Sequence, residues 1–404
     1  MRHEDINLIL ITPHGRSGSI FLQSLFDNHP ETITIPVISL KYQFDVTEND
    51  YEGIAKKFVK TYPEIFDSAA GYLGKVGENV TTLFGQNGDS HLVYDSNRYK
   101  SLLIEELKEI GNYTTEPISR KSFWIAVHFA YARFLGHDTD RLKYIVFHEH
   151  NYLGGHPLIA LDFPKLFYFA MTRDPREDWL SWKKIHGIHD GKLLFLTYKY
   201  HRAKNVNRYS RFIINLFQFS QNVSSERLFI IDLNKFHKLN IDAMKLISKK
   251  LEIKFQESLL ESTINGETWQ GNAASRNPIT GFDPSKSEFR WLKELRRKEI
   301  KFIEGQMHHE MNALGYESQF SEKANSRHYP YFSSFCYSII VAHRISLDSF
   351  DRKLSTSFAL SYLGRMVLAV LRYPRRALSE GKSFNAVNLP RETLNSRMIN
   401  DSIL

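Results

Sequence analysis

Apolar and polar positions along the chain follow two alternating rhythms. Leu8 to Ile11 are four consecutive apolar residues, as in a strand buried on both faces of a parallel sheet. From Ser19 the spacing turns helical, with Phe21, Leu22, Leu25 and Phe26 on one stripe. Further strands are predicted at 31–38, 142–148, 165–171 and 227–233, each a short run of apolar or β-branched residues. Helical spacing predicts helices at 51–62, 99–110, 117–135, 194–219, 236–251 and 287–314, with Pro63 ending the first of them. Residues 63–98 and 263–285 are rich in Gly, Asn, Asp and Ser and predict irregular chain, the first as an insertion bordering a substrate cleft. The alternation predicts an α/β fold: a mostly parallel central sheet with helices on both faces, followed by a helical C-terminal extension.

Composition narrows this picture in three places. The 404 residues, 42% of them hydrophobic, suffice for a sizeable core, and we expect one domain over 1–320 with an extension over 321–404. Cys336 is the sole cysteine, so neither an internal disulfide nor a cysteine-based metal site can form, which favours a reducing compartment. Residues 1–6 carry Arg2, His3, Glu4 and Asp5 and no apolar targeting run, and the expected location is cytoplasmic. Of the net charge of +8, residues 321–404 hold +6, from 12 Lys and Arg against 6 Asp and Glu, and the first 320 hold +2. A main body so nearly neutral lacks the basic footprint of a nucleic-acid binder, so no nucleic-acid partner is expected.

The chemistry concentrates where strands run into helices. In His14-Gly-Arg-Ser-Gly-Ser19, Gly15 and Gly18 permit a tight turn between the first strand and its helix. The helix start offers unpaired N–H groups and a positive dipole end, so the segment forms an anion cradle. It resembles a Walker A loop but lacks the closing Gly-Lys-Ser/Thr, which counts against an ATP or GTP hydrolase or kinase. A second unit of the same kind follows the strand at 165–171. There Asp174 suits an N-cap, Pro175 the first helical position, and Glu177 a capping box.

Both units resemble the sulfotransferase family that uses 3′-phosphoadenosine 5′-phosphosulfate (PAPS), with most likeness to its carbohydrate-type and bacterial members. Arg16-Ser-Gly-Ser19 with Asn28-His29-Pro30 resembles the 5′-phosphosulfate loop and the end of its helix. Arg173-Asp-Pro-Arg with Ser181 eight residues on resembles the 3′-phosphate clamp. Asn265-Gly-Glu-Thr-Trp-Gln-Gly-Asn272 resembles the late Gly-x-x-Trp-x-Gly loop that closes over the donor's adenosine. The resemblance spans residues 5–315 and implies a P-loop, nucleotide-kinase-like fold. It implies PAPS as donor, adenosine 3′,5′-bisphosphate as product and no metal. It assigns Gly15, Arg16, Ser17, Gly18 and Ser19 to the 5′ end, Arg173 and Ser181 to the 3′-phosphate, and Trp269 and Gly271 to the nucleoside. Arg16 also stands where charge develops as the sulfuryl group leaves. Without the likeness, Arg173 could equally pair with Glu177 or Asp178, and Trp269 could be one buried residue of a surface loop.

In-line displacement needs a base for the acceptor's proton. The strand at 142–147 ends in His148-Glu149-His150, at the carboxyl edge where open sheets place their sites. Period-two alternation puts His148 and His150 on one face and Glu149 on the other. His148 is the preferred base, with Glu149 and His150 behind it and His14 an outside candidate; the spacing forms no zinc signature. The expected acceptor is a hydroxyl or amine of a glycan, glycolipid or other polar metabolite. A non-catalytic nucleotide- or membrane-binding module would keep the loops and need no base. In the tail, apolar runs at 331–342 and 358–371 are too short to span a bilayer, and the second flows into Arg372-Tyr-Pro-Arg-Arg376. The tail therefore either caps the catalytic domain, the reading we favour, or makes peripheral contact with an anionic membrane.

Overall fold

A computed structural model of the chain describes residues 3, 5–13, 16–36, 40–46, 50–68, 82–84, 92–112, 118–149, 155–185, 223–272 and 280–320. The helix expected at 194–219 and the whole extension at 321–404 lie outside these residues. The described residues gather into two compact units, one of residues up to Arg173 and 223–288, the other of 174–185 and 289–320.

The first unit is built on five strands: β1 (Asn7–Pro13), β2 (Thr32–Thr34), β4 (Tyr144–His148), β5 (Phe167–Thr172) and β6 (Leu228–Asp232). All their pairings are parallel, in the order β2-β4-β1-β5-β6. The four-residue apolar run at Leu8–Ile11 thus lies in the central strand, and each of its side chains is fully buried. Helices cover both faces because both faces are apolar. On one, Ile9, Val146, Phe169 and Ile231 join a core with Leu22 of α1 (Ser19–Leu25), with Phe26 that caps it, and with Phe236, Met244 and Ile247 of a second helix, Leu233–Lys250. On the other, Phe147 meets Trp124 of the helix Arg120–Leu135 edge-on at 5.0 Å, and Tyr168 meets His156 of the helix Gly155–Asp162 at 5.7 Å. This is an α/β arrangement, a parallel five-stranded central sheet with helices on both faces. Helices Tyr51–Thr61 and Ser96–Asn112 complete the α-helices of the unit among the described residues; in chain order we call the helices after α1 α2 (51–61), α3 (96–112), α4 (120–135), α5 (155–162) and, after α6 below, α7 (233–250).

Three predicted segments differ from the structure. The second strand stops at Thr34, where Gln23 Nε2 of α1 takes the Ile35 carbonyl at 2.8 Å and Pro36 has no N–H for a ladder. Residues 263–285 are not all irregular: β7 (Thr263–Ile264) and β8 (Glu267–Asn272) form a two-residue hairpin. Asn265 (φ 56°) and Gly266 (φ 76°) are both left-handed, as its turn requires. β8 also pairs with β3 (Thr82–Phe84), inside the expected insertion. The helix predicted at 287–314 divides into α8 (Trp291–Glu294) and α9 (Arg297–Ala313), with Leu295 extended between them.

In the second unit, α6 (Pro175–Ile185) is held to α8 and α9 by buried charge. Arg176 pairs with Asp174 at 2.7 Å and Glu304 at 2.6 Å, with its guanidinium 3.8 Å over the Trp291 ring. Trp179 Nε1 donates to Glu299 at 2.9 Å. Asp174 accepts the Arg176 N–H as the expected N-cap would, whereas the Glu177 carboxylate takes the Trp291 N–H at 2.7 Å. No helix among the described residues is long and apolar enough to cross a membrane.

Candidate active site at the carboxyl edge of the central sheet

The central strand delivers its chain to this edge and the backbone then bends sharply. Arg16 (φ 62°) and Gly18 (φ 81°) are both left-handed, the kind of turn from which anion-holding nests are made. At Gly18 the positive φ disfavours any side chain, and a Cβ there would also displace Cδ1 of Leu233, the first residue of α7. Ser17 is fully buried, and its Oγ has no hydrogen-bond partner among the described residues. Thr12 Oγ1, near the end of β1, is in the same condition. An unmet buried hydroxyl is costly unless something outside the protein completes it, and an anionic oxygen would do so. Ser19, also buried, opens α1.

Arg173 follows directly on β5 and is 7% exposed. Its Nη1 donates to the Arg16 carbonyl at 3.3 Å, so the two expected anion-binding arginines meet through the loop backbone. Topology explains the meeting. β1 and β5 are neighbours, but the chain leaves β1 toward β2 on one side and leaves β5 toward β6 on the other. Such a switch point opens the crevice in which open α/β sheets bind ligands. The charge of Arg173 is felt at His237 of α7, whose pKa is pushed down to about 4 by burial first, with Arg173 adding to the effect. His237 is therefore neutral at pH 7; its Nδ1 accepts the Asp283 N–H at 3.2 Å and its ring stacks on Phe21 at 4.7 Å. Neither Leu233 nor His237 is marked by any motif. Only the position of α7 beside the loop brings them in.

His148 ends β4 in register with Ile11, on the face of Val146, and is 1% exposed. Glu149 turns to the other face, where its Oε2 accepts the Tyr42 N–H at 2.9 Å. The Glu149 carbonyl can only accept, so His156 Nε2 carries the proton of their 3.0 Å bond, leaving Nδ1 to accept from the Tyr168 hydroxyl at 3.2 Å. The carboxyl ends of β1, β4 and β5 thus bring Arg16, Ser17, Gly18, Ser19, His148, Glu149 and Arg173 to one edge. Ser181 lies on α6, partly buried, in the second unit. Trp269 and Gly271 lie on β8, Trp269 opposite Phe84 of β3, with side chains outside the described residues. His14, Gly15 and His150 also lie outside them. Among the described residues, no group of three or more His, Cys, Asp or Glu could hold a metal ion.

No family model matches the chain, and no curated protein matches it in sequence. Among solved structures, it is similar to the sulfotransferase domain from the curacin biosynthetic pathway, at 14% identity over 77% of this chain and 98% of that one, with a TM-score of 0.40. The sulfotransferase domain from the Synechococcus PCC 7002 olefin synthase is 13% identical over 75% and 95% of the two chains, with a TM-score of 0.35. Sulfotransferase STF9 from Mycobacterium avium is 9% identical over 78% and 79%, also with a TM-score of 0.35.

Proposed function

We propose that the chain is a PAPS-dependent sulfotransferase that moves a sulfuryl group to a hydroxyl or amine of a glycan, glycolipid or other polar acceptor by in-line displacement. The observation that carries this reading is the Arg173–Arg16 junction beside the Ser17 hydroxyl, which is buried and has no hydrogen-bond partner among the described residues. A ligand with phosphates at two separated positions needs two cationic elements in one crevice. The motif resemblance at 14–30 and 173–181 points the same way.

The donor, when bound, supplies a sulfuryl group activated as a mixed anhydride with phosphate. Arg16, the Ser17 hydroxyl and the N–H groups of Gly18 and Ser19 would hold its 5′ end, and Arg16 would meet the charge that develops there. Arg173 would clamp the 3′-phosphate, with Ser181 as its partner in this reading. A planar guanidinium at position 16 favours fixed positioning over proton donation. His148 would take the acceptor's proton at a ring nitrogen, with Glu149 and His150 as further candidates. Trp269 and Gly271 would approach the nucleoside, residues 1–320 would suffice for the reaction, and the location would be cytoplasmic.

Calorimetric titration with adenosine 3′,5′-bisphosphate, ATP and GTP tests the reading. The bisphosphate is expected to bind best, and Arg173→Ala to weaken it by about 2 kcal/mol, the scale of a charge-assisted hydrogen bond. Tight ATP binding with none of the bisphosphate would overturn the assignment. Sulfate transfer from labelled donor into a cell extract, retained by the wild type and lost in His148→Ala, would separate an enzyme from a mere binder.

A further inference from the structure

The phosphate-loop helix carries a second set of polar contacts at its far end, and none of them belongs to the anion site. Ser24 Oγ lies 2.6 Å from Ser262 Oγ, just before the β7–β8 hairpin. Asp27, 4% exposed, closes the turn after α1, and its Oδ2 accepts from Gly266 N at 2.8 Å and from Thr263 Oγ1 at 3.1 Å. The Asn265 N–H donates to the same carboxyl. Asn265 is held from behind as well, where the Tyr131 hydroxyl of α4 donates to its Oδ1 at 2.6 Å. A carboxyl group so buried is expensive. Burial raises its pKa, while the hydrogen bonds from Gly266, Asn265 and Thr263 and the nearby His137 oppose that rise. Simple hairpin stability does not call for this arrangement, because the Asn265-Gly266 turn already supplies the left-handed residues a two-residue hairpin needs.

We propose that Asp27 is a positioning residue: it ties the β7–β8 hairpin to the helix that begins at the phosphate loop, and so sets where residues 269–271 stand relative to Arg16–Ser19. The inference rests on the donor reading above for its ligand, and on the hydrogen bonds alone for the tie. α1 has only seven residues and little freedom to bend, so its two ends move together. One end is the loop that would hold the donor's 5′ phosphate. The other holds β7 and the Asn265-Gly266 turn, which lead directly into β8, the strand bearing Trp269 and Gly271. A carboxylate suits the task because one oxygen serves the Thr263 hydroxyl and the Gly266 N–H together.

The full-length protein and its Asp27→Ala, Asp27→Asn and Thr263→Val variants test this by two measurements. Hydrogen exchange of the 263–272 segment is expected to rise on the order of tenfold in Asp27→Ala, with Asp27→Asn between it and the wild type because its amide oxygen still accepts. Thr263→Val, which loses one donor and keeps the fold, is expected to show a smaller rise. In the second measurement, Asp27→Ala binds adenosine 3′,5′-bisphosphate about tenfold more weakly while its affinity for inorganic phosphate, a probe of the loop alone, stays unchanged. Unchanged exchange in the hairpin of Asp27→Ala and Thr263→Val would overturn the tie. A parallel loss of inorganic phosphate would overturn it too, since Asp27 would then act on the loop itself. If the wild type binds phosphate but not the bisphosphate, the donor reading falls and the exchange data alone decide the role of Asp27.

Discussion

Single residues show why burial is used so unevenly in this chain. His128 of α4 is fully buried; its Nδ1 contacts the Trp124 carbonyl at 2.7 Å, and its Nε2 has no partner among the described residues. Burial lowers its pKa to about 4. The unfolded chain therefore binds a proton below pH 6.5 that the folded chain refuses, so stability falls as pH drops from 6.5 toward 4, by about 1.4 kcal/mol per unit. His128→Leu is expected to be less sensitive over that window, as urea unfolding at pH 7 and pH 4.5 would show; equal losses in both proteins would refute it. Ser17 is the contrasting case, a buried polar group in the loop between β1 and α1 rather than in the core. The sequence singled out Arg16, Ser17, Gly18, Ser19 and Arg173 as candidates because loop, strand end and helix start are contiguous patterns with fixed spacing. It could not identify Leu233 or His237, whose relation to the loop is tertiary.

Whole elements were readable to the extent that their signals were local. The central strand was legible because both of its faces are apolar, and α6 because Asp174 and Pro175 mark its start. The hairpin at Thr263–Asn272 went unread although Asn265-Gly266 is a strong turn signal, because the strand before it has only two residues. In the second unit, α6 and α9 are joined by Glu304, which accepts from Arg176 at 2.6 Å, Ser318 at 2.8 Å and the Phe320 N–H at 2.9 Å. Removing Glu304 takes one of two carboxylates from the buried Arg176 guanidinium and leaves the Ser318 hydroxyl and the Phe320 N–H without their acceptor, so Glu304→Ala is expected to cost about 3 kcal/mol. Chemical denaturation would measure it, and a loss below about 1 kcal/mol, typical of exposed pairs, would contradict this account.

At the scale of the molecule, charge is the coarse organiser: residues 321–404 carry +6 of the net +8. If this extension caps residues 1–320, a chain ending at residue 320 should melt at a lower temperature and show no difference from the full chain in sedimentation with anionic liposomes. A clear loss of liposome binding on truncation would assign the tail to a membrane instead. The sequence by itself determined the alternation of strand and helix, the two strand-to-helix turns and the arginines within them, because periodicity, left-handed glycine and N-capping act over a few residues. Only the tertiary structure decided that β1 and β5 lie side by side with connections leaving in opposite directions, so that Arg173 reaches the Arg16 carbonyl across 157 positions of chain. It also decided that α1 is tied at its far end to a hairpin 239 positions away from Asp27. Strand order and long-range hydrogen bonds depend on which faces bury one another, and that information resides in the packed core rather than in any one segment of the chain.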